Sequence, residues 1–224
     1  MILCIDKVLT PEELQSIQSS LANAEFVDGK LTAGWHAKMV KENQQLSKKD
    51  AVAKSVKETV TKGLYRNQLF RMAVKPKNIR SPLISRYEAG MSYGRHVDNA
   101  LMGQGNDLMR SDVSFTVFLN APEEYEGGEL VMETTQGEQS FKLQAGAMVT
   151  YPSTTLHRVE PVTKGVRLVS VSWVQSLIRD PNRREILFDL EKTRQALFSK
   201  HGKTQEFDLV AKSCANLLRQ WSEF

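Results

Sequence analysis

The chain has 224 residues, of which 41% are hydrophobic and 25% charged, ordinary globular values that exclude wholesale disorder. Its net charge of +4 is spread along the sequence rather than clustered, so a nucleic-acid partner is not indicated. Cys4 and Cys214 stand near opposite ends, which is neither a disulfide framework nor a zinc signature. No apolar stretch is long enough for a membrane span. The expectation is a soluble, cytoplasmic protein with no membrane partner.

Ile2–Ile5 reads as a short strand. Thr10 then offers an N-cap, Pro11 the first helical position and Glu13 the returning carboxylate of a capping box, with Leu14, Ile17 and Leu21 as one apolar stripe. The region around Gly29 and Gly34 reads as a hairpin or loop. A second helix is expected from Ser47, carrying Val52, Val56, Val60 and Leu64. From about Phe70 to Val174 the chain turns to short β-rich runs punctuated by Gly and Pro. The run Ser111–Leu119 alternates small polar with apolar residues, a half-buried strand signal. Further strands are expected at 84–88, 93–98, 129–133, 139–143 and 148–151, and two more flank Lys164-Gly165. This spacing suggests an antiparallel sandwich or jelly roll. After Ser176 the pattern is helical again. Asp180-Pro181 starts one helix and Gly202 stops it, and a last helix carries Leu209, Cys214, Leu218 and Trp221. The fold class expected is therefore α+β with a mainly β core. It divides into an N-terminal strand/helix region (1–77), a β core (78–177) and a C-terminal helical extension (178–224).

Two of the four histidines lie in the β-rich region. His96 and Asp98 are two residues apart; on a strand, such positions share a face with α-carbons roughly 7 Å apart, so an imidazole and a carboxylate can converge on one point. A second histidine from another strand completes a facial triad of two histidines and one carboxylate, the donor set of non-haem Fe(II) oxygenases. His157 is the natural third ligand. It shares its strand face with Val159, while Arg167, Val169, Val171 and Trp173 share one face of the following strand. If the strands turn into each other at Lys164-Gly165 with both apolar faces inward, His157 and Arg167 look into one interior. An arginine there needs an anion, since an unpaired buried guanidinium costs several kcal/mol, and its planar fork suits a carboxylate. A small dicarboxylate bridging from metal to arginine has the required shape.

These residues resemble the Fe(II)/2-oxoglutarate-dependent dioxygenases, specifically the PKHD-type hydroxylases, bacterial relatives of the prolyl and lysyl hydroxylases. The likeness is carried by Arg86-Tyr87-Glu88-Ala89-Gly90, Tyr93-Gly94-Arg95-His96-Val97-Asp98-Asn99, the Gly127-Gly128-Glu129-Leu130 turn and His157 followed by Arg167. It extends over essentially the whole chain. It implies a double-stranded β-helix, the jelly-roll form of that superfamily. It further implies Fe(2+) on the catalytic ligands His96, Asp98 and His157, and 2-oxoglutarate with its distal carboxylate on Arg167. Tyr87 matches a family tyrosine lining the cofactor or substrate pocket, and Trp173 an aromatic on the arginine strand. O2 is the co-reactant and L-ascorbate keeps the iron reduced. One departure is Phe118, which stands where oxygen-sensing relatives carry a tyrosine on the cosubstrate; Ser114 or Thr116 on the same face, or Thr150, would supply a hydroxyl instead. The implied reaction couples oxidative decarboxylation of 2-oxoglutarate to hydroxylation of a C–H bond, in a prolyl or lysyl residue of a peptide or a related substrate. The rival reading is a cupin-like metal-binding or iron-responsive regulatory protein without turnover, which would not need Arg167 inside. The loop Ala100–Arg110 is expected to cover the site mouth and select substrate. The C-terminal helices are expected to cover an open face of the core or to join two copies as a homo-oligomer.

Overall fold

A computed structural model describes residues 1–224. In chain order the elements are β1 (Leu3–Ile5), α1 (Pro11–Leu21), β2 (Phe26–Asp28), β3 (Lys41–Glu42), β4 (Gln44–Leu46), α2 (Ala53–Arg66), α3 (Gln68–Val74), β5 (Pro76–Ile79), β6 (Leu83–Tyr87) and β7 (Ser92–His96). There follow β8 (Leu101–Met102), β9 (Met109–Arg110), β10 (Val113–Phe118), β11 (Tyr125–Gly127), β12 (Leu130–Thr134), β13 (Gly137–Phe141) and β14 (Met148–Pro152). The chain ends with β15 (His157–Val159), β16 (Val162–Gly165), β17 (Arg167–Ser176), α4 (Pro181–His201) and α5 (Gln205–Trp221).

Two antiparallel sheets form the core. The larger has eight strands in the order β1-β14-β10-β17-β6-β4-β2, with β5 paired to the far end of β17. The smaller has five, in the order β13-β12-β15-β7-β3. Side chains of both pack into one cluster, Phe118, Val149, Tyr151 and Val169 from the larger sheet against Leu130, Met132 and Val159 from the smaller. The opposite face of the larger sheet is covered by helices. Val113, Phe115 and Val117 of β10 meet Ile17 and Leu21 of α1, Val56, Val60 and Leu64 of α2 and Phe70 of α3 in a second cluster. All six residues of β10 are consequently buried, not half-buried as its alternation suggests. The apolar face goes to the helices and the small polar face, Ser114 and Thr116, to the space between the sheets.

The expected start of α1 is observed: Thr10 Oγ1 accepts from Glu13 N at 3.2 Å and Thr10 N donates to the Glu13 carboxylate at 2.9 Å. The second helix begins at Ala53 rather than at Ser47. Ser47 N instead donates to Glu25 O, prolonging the β2–β4 pairing, and Asp50 spends its carboxylate on Glu25 N and Val52 N. Phe70 lies in α3, a short helix capped by Asn67, and not at the start of the β region. The hairpin expected between His157 and Arg167 does not form. β15 pairs with β7 and β12, β17 with β6 and β10, and β16 leaves for β11; the two strands therefore face one another from different sheets. Asp180 caps α4 at Asn182 N and Arg183 N, and Gly202 ends it. α4 docks on α3 through buried Leu187 and Phe188, whereas α5 lies on α4 and buries none of its own residues.

Candidate metal and cosubstrate site

A cavity of about 250 Å³ opens between the sheets. His96 ends β7 and His157 begins β15, and the two are direct partners across the strand pair, with ring centroids 4.2 Å apart. Asp98 lies just beyond the end of β7. One ligand atom from each of His96, Asp98 and His157 falls within 4.8 Å of the others, and His157 Nε2 is 4.0 Å from Asp98 Oδ2. This is the separation of groups facing a shared point.

Each ring is oriented the same way. His96 Nδ1 is 2.8 Å from Gly94 O, and His157 Nδ1 is 2.9 Å from Thr155 O. A carbonyl only accepts, so Nδ1 carries the proton in both and Nε2 keeps its lone pair for a cation. Burial, reinforced by neighbouring His157, pushes the His96 pKa down to about 4, keeping it in the neutral form that ligates metal. Tyr93 stacks on His96 with centroids 3.7 Å apart, and Tyr151 meets His157 edge-on at 5.1 Å. Asp98 Oδ2 accepts from Ser114 Oγ at 2.6 Å, and Ser114 Oγ is 2.8 Å from Ser153 Oγ. The carboxylate is held from behind by a hydroxyl chain.

Arg167 enters from the opposite sheet. It is 1% exposed, its Nε and Nη1 have no hydrogen-bond partner, and it forms no ion pair. Its guanidinium stands 5.0 Å from the ring centre of Tyr87 and 5.7 Å from that of Phe118. Phe118 thus supports the cation through its π face instead of donating to a ligand. The Tyr125 hydroxyl is also buried without a partner, and Arg167 pulls its pKa down against the larger upward push of burial. Gly128 has φ +69°, and a Cβ there would lie 3.0 Å from Arg167 Cδ and 3.1 Å from Tyr125 Cε2. The Gly127-Gly128 turn is what lets arginine and tyrosine close on one space.

Of the sequence-derived candidates, His96, Asp98, His157, Arg167, Tyr87, Ser114, Thr116 and Trp173 line the cavity, and Phe118 lies beneath Arg167. Thr150 does not. It shares the parity of Met148, faces the helices, and donates to Ser114 O at 3.3 Å. The Ala100–Arg110 loop folds into the β8–β9 hairpin and reaches the cavity only through Met102; residues 31–48 supply far more of the rim. Tyr93, Tyr151, Lys41, Asn43 and Gln45 also line the cavity, and Tyr125 stands beside Arg167; none of the six is among the sequence-derived candidates. Tyr151 could have been placed by parity with inward Val149; a polar stretch such as 41–45 carries no sequence signal for burial. His36 and His201 stand outside the cavity lining.

Comparison with known proteins agrees with this geometry. Residues 82–175 match the family model of the 2OG-Fe(II) oxygenase superfamily. A prolyl hydroxylase from Trichoplax adhaerens, solved with a hypoxia inducible factor peptide fragment, superposes with a TM-score of 0.56 at 15% identity, over 83% of this chain and 86% of its own. HygX from Streptomyces hygroscopicus, solved with nickel, 2-oxoglutarate and hygromycin B, gives 0.53 at 14% identity, over 79% and 84%. Fold and site therefore define a 2OG-Fe(II) oxygenase, an enzyme using iron and 2-oxoglutarate. A PKHD-type hydroxylase of Synechococcus sp. (strain JA-2-3B'a(2-13)) is 59% identical over 223 residues, covering 100% of both chains. The chain belongs to the PKHD-type hydroxylases.

Proposed function

We propose that this hydroxylase acts on a C–H bond of a peptidyl substrate, a prolyl or lysyl residue or a close relative, with Fe(II) on His96, Asp98 and His157 and the distal carboxylate of 2-oxoglutarate on Arg167. The observation that carries the cosubstrate assignment is the buried guanidinium of Arg167, which makes no ion pair and leaves Nε and Nη1 without a hydrogen-bond partner. The donor set fits the metal: two imidazole nitrogens with free lone pairs and one carboxylate oxygen suit Fe(II). When bound, iron and 2-oxoglutarate supply the chemistry in which O2, 2-oxoglutarate and R–H give R–OH, succinate and carbon dioxide.

The chain's own groups do the positioning. Gly94 O and Thr155 O fix the two imidazole tautomers, and Ser114 turns the Asp98 carboxylate. Arg167 and the Tyr125 hydroxyl form a fork for a carboxylate, with Tyr87 and Phe118 stacked against the cation. Tyr151 and Val159 keep the inner end dry. The hydroxyl missing at Phe118 is thereby supplied by Tyr125, not by Thr150. The sheets are read as a double-stranded β-helix, with 78–177 as its catalytic core, 1–77 adding strands to both sheets and 178–224 buttressing the helical face. Ascorbate is assigned as reductant on family likeness. A cytoplasmic location is supported by Cys4 and Cys214 both being free. A homo-oligomer would use α5, whose Leu209 and Leu218 are exposed.

The test is anaerobic addition of Fe(II) and 2-oxoglutarate, followed by admission of oxygen. A visible charge-transfer band and then release of succinate are expected. Arg167→Ala should still take up metal but lose the band. Undiminished 2-oxoglutarate binding by that variant would overturn the assignment and leave the non-turnover reading in its place.

A further inference from the structure

Lys41 of β3, Gln45 of β4 and Asn43 at the junction where the chain passes from one sheet to the other all line the cavity. Each is at most 5% exposed. The segment lies outside the 82–175 stretch that matches the superfamily. It is brought tightly over the site by Gly94, where a Cβ would come within 2.7 Å of Val40 Cβ. Lys41 Nζ donates one hydrogen bond, to Thr32 Oγ1 at 3.2 Å. It also stands 5.1 Å from the centre of the Tyr93 ring that stacks on His96. Asp98 and Asp28 are the acids that bear on it, and neither is close enough to form an ion pair. Asn43 has both polar side-chain atoms buried without a partner. A buried ammonium with most of its hydrogen-bonding capacity unused is costly unless a ligand completes it.

Charge balance identifies the missing ligand. The cavity is lined by Lys41, Lys48, Arg80 and Arg167, none of them ion-paired, against the single carboxylate of Asp98. A divalent cation, Asp98, a dicarboxylate and Arg167 together come to neutrality. Lys41 is left over in the interior, with Lys48 and Arg80 nearer solvent adding to the same sign. A cavity walled by one sign of charge concentrates the opposite ion.

We propose that Lys41 anchors a second anion subsite and that the primary substrate carries a carboxylate, which Lys41 holds beside the metal. This rests on the reading of His96, Asp98, His157 and Arg167 given above. The carboxylate belongs either to a free N-acylated amino acid or to an acidic residue of a peptide, and the two sources are separated by experiment. A lysine that merely packs its stem on Tyr93 would be indifferent to ligand charge.

The protein is saturated anaerobically with Fe(II) and 2-oxoglutarate and titrated calorimetrically with two sets of probes. One set is the N-acetyl amino acids, each as free acid and as primary amide. The other is the blocked tripeptides Xaa-Pro-Xaa and Xaa-Lys-Xaa, with Xaa as Glu or Gln. Carboxylate members are expected to bind about ten- to a hundredfold tighter than their amide partners, the value of one charge-assisted hydrogen bond. Lys41→Gln should erase that preference and Lys41→Arg should keep part of it, with 2-oxoglutarate affinity in both variants within about twofold of wild type. Tight free acids indicate the small-molecule source, and tight Glu tripeptides the peptide source. Equal binding of acid and amide, a preference that survives Lys41→Gln, or no binding by any carboxylate probe overturns the proposal. A collapse of 2-oxoglutarate affinity in Lys41→Gln also overturns it, because Lys41 would then belong to the cosubstrate. Failure of the wild type to take up 2-oxoglutarate overturns the earlier assignment instead, and this inference with it.

Discussion

Replacing Arg167 by methionine should move folding stability and cosubstrate binding in opposite directions. In the ligand-free protein the guanidinium is almost fully buried and unpaired, with only the Tyr87 and Phe118 rings to compensate it. Such ring contacts return about 2 kcal/mol each when desolvated, against a burial penalty of several kcal/mol for the unpaired charge. Methionine keeps the apolar stem and discards the charge, so Arg167→Met should gain on the order of 1–3 kcal/mol without ligand. For a chain of this size that is a rise in melting temperature of roughly 2–12 °C. With 2-oxoglutarate at a hundredfold excess over its dissociation constant, which stabilises the wild type by about 2.7 kcal/mol, the gap shrinks by that amount and closes or inverts. The variant has lost two charge-assisted hydrogen bonds of roughly 1.5–3 kcal/mol each, and the same ligand concentration should leave its melting temperature unmoved. Thermal shift on the Fe(II)-loaded proteins under nitrogen, with and without 2-oxoglutarate, reads both effects. If Arg167→Met melts well below the wild type without ligand, or shows the same ligand-induced shift, then Arg167 has a structural partner and is not awaiting an anion.

Three further expectations test the surroundings. Ser114→Ala removes the hydroxyl that holds Asp98 Oδ2 at 2.6 Å and should weaken metal binding about 10- to 100-fold, measured by Fe(II) or Co(II) titration; unchanged affinity would show that Asp98 is oriented by the backbone alone. Gly128→Ala places a Cβ against Val162, Arg167 and Tyr125 at a φ of +69°, a strain of about 1–3 kcal/mol, and should weaken 2-oxoglutarate more than Fe(II); equal loss of both would mean general misfolding. Burial pulls the Lys41 pKa down from 10.5 to about 8, so above pH 8 the folded state holds fewer protons at this group than the unfolded chain. The destabilisation it causes is fully present below pH 8 and relieved as pH rises toward 10.5. Lys41→Met should therefore outlast the wild type in urea at pH 7, with the gap closing by pH 10; a gap independent of pH would contradict the burial of a charged lysine.

The legible part of the site and the illegible part differ in a physical way. Which face of a strand a residue occupies is local: a period of two along His157–Val159 and Arg167–Trp173 is enough to turn His157 and Arg167 to the same interior, and the structure has them there. Which strand pairs with which is not local. Lys164-Gly165 has the chemistry of a hairpin turn, and Gly165 does adopt φ +74°, yet the turn serves a crossing in which β16 pairs with β11 and β17 starts afresh in the other sheet. The same holds for burial by distant chain. Ser111–Leu119 has the alternation of a half-exposed strand, and only helices α1 to α3, drawn from up to a hundred residues earlier, make its outer face interior. Thr150 is the mirror case: its direction is local after all, since it shares the parity of Met148, which lies in the helical cluster.

The polar trio of Lys41, Asn43 and Gln45 is the extreme case. All five residues from Lys41 to Gln45 are polar, the composition of a segment lying in water, where each polar group would be satisfied without cost. The trio faces inward because β3 pairs with β7 beside Tyr93 and β4 pairs with β6 beside Arg86, registers that no property of the five residues themselves dictates. A stable protein gains little from burying an ammonium and an unpartnered amide when leucine or valine would fill the same wall. Local pattern and folded position disagree most where a segment is retained for what it binds, which is the physical reason for looking to residues 41–45, rather than to the β8–β9 hairpin, for the determinants of the substrate.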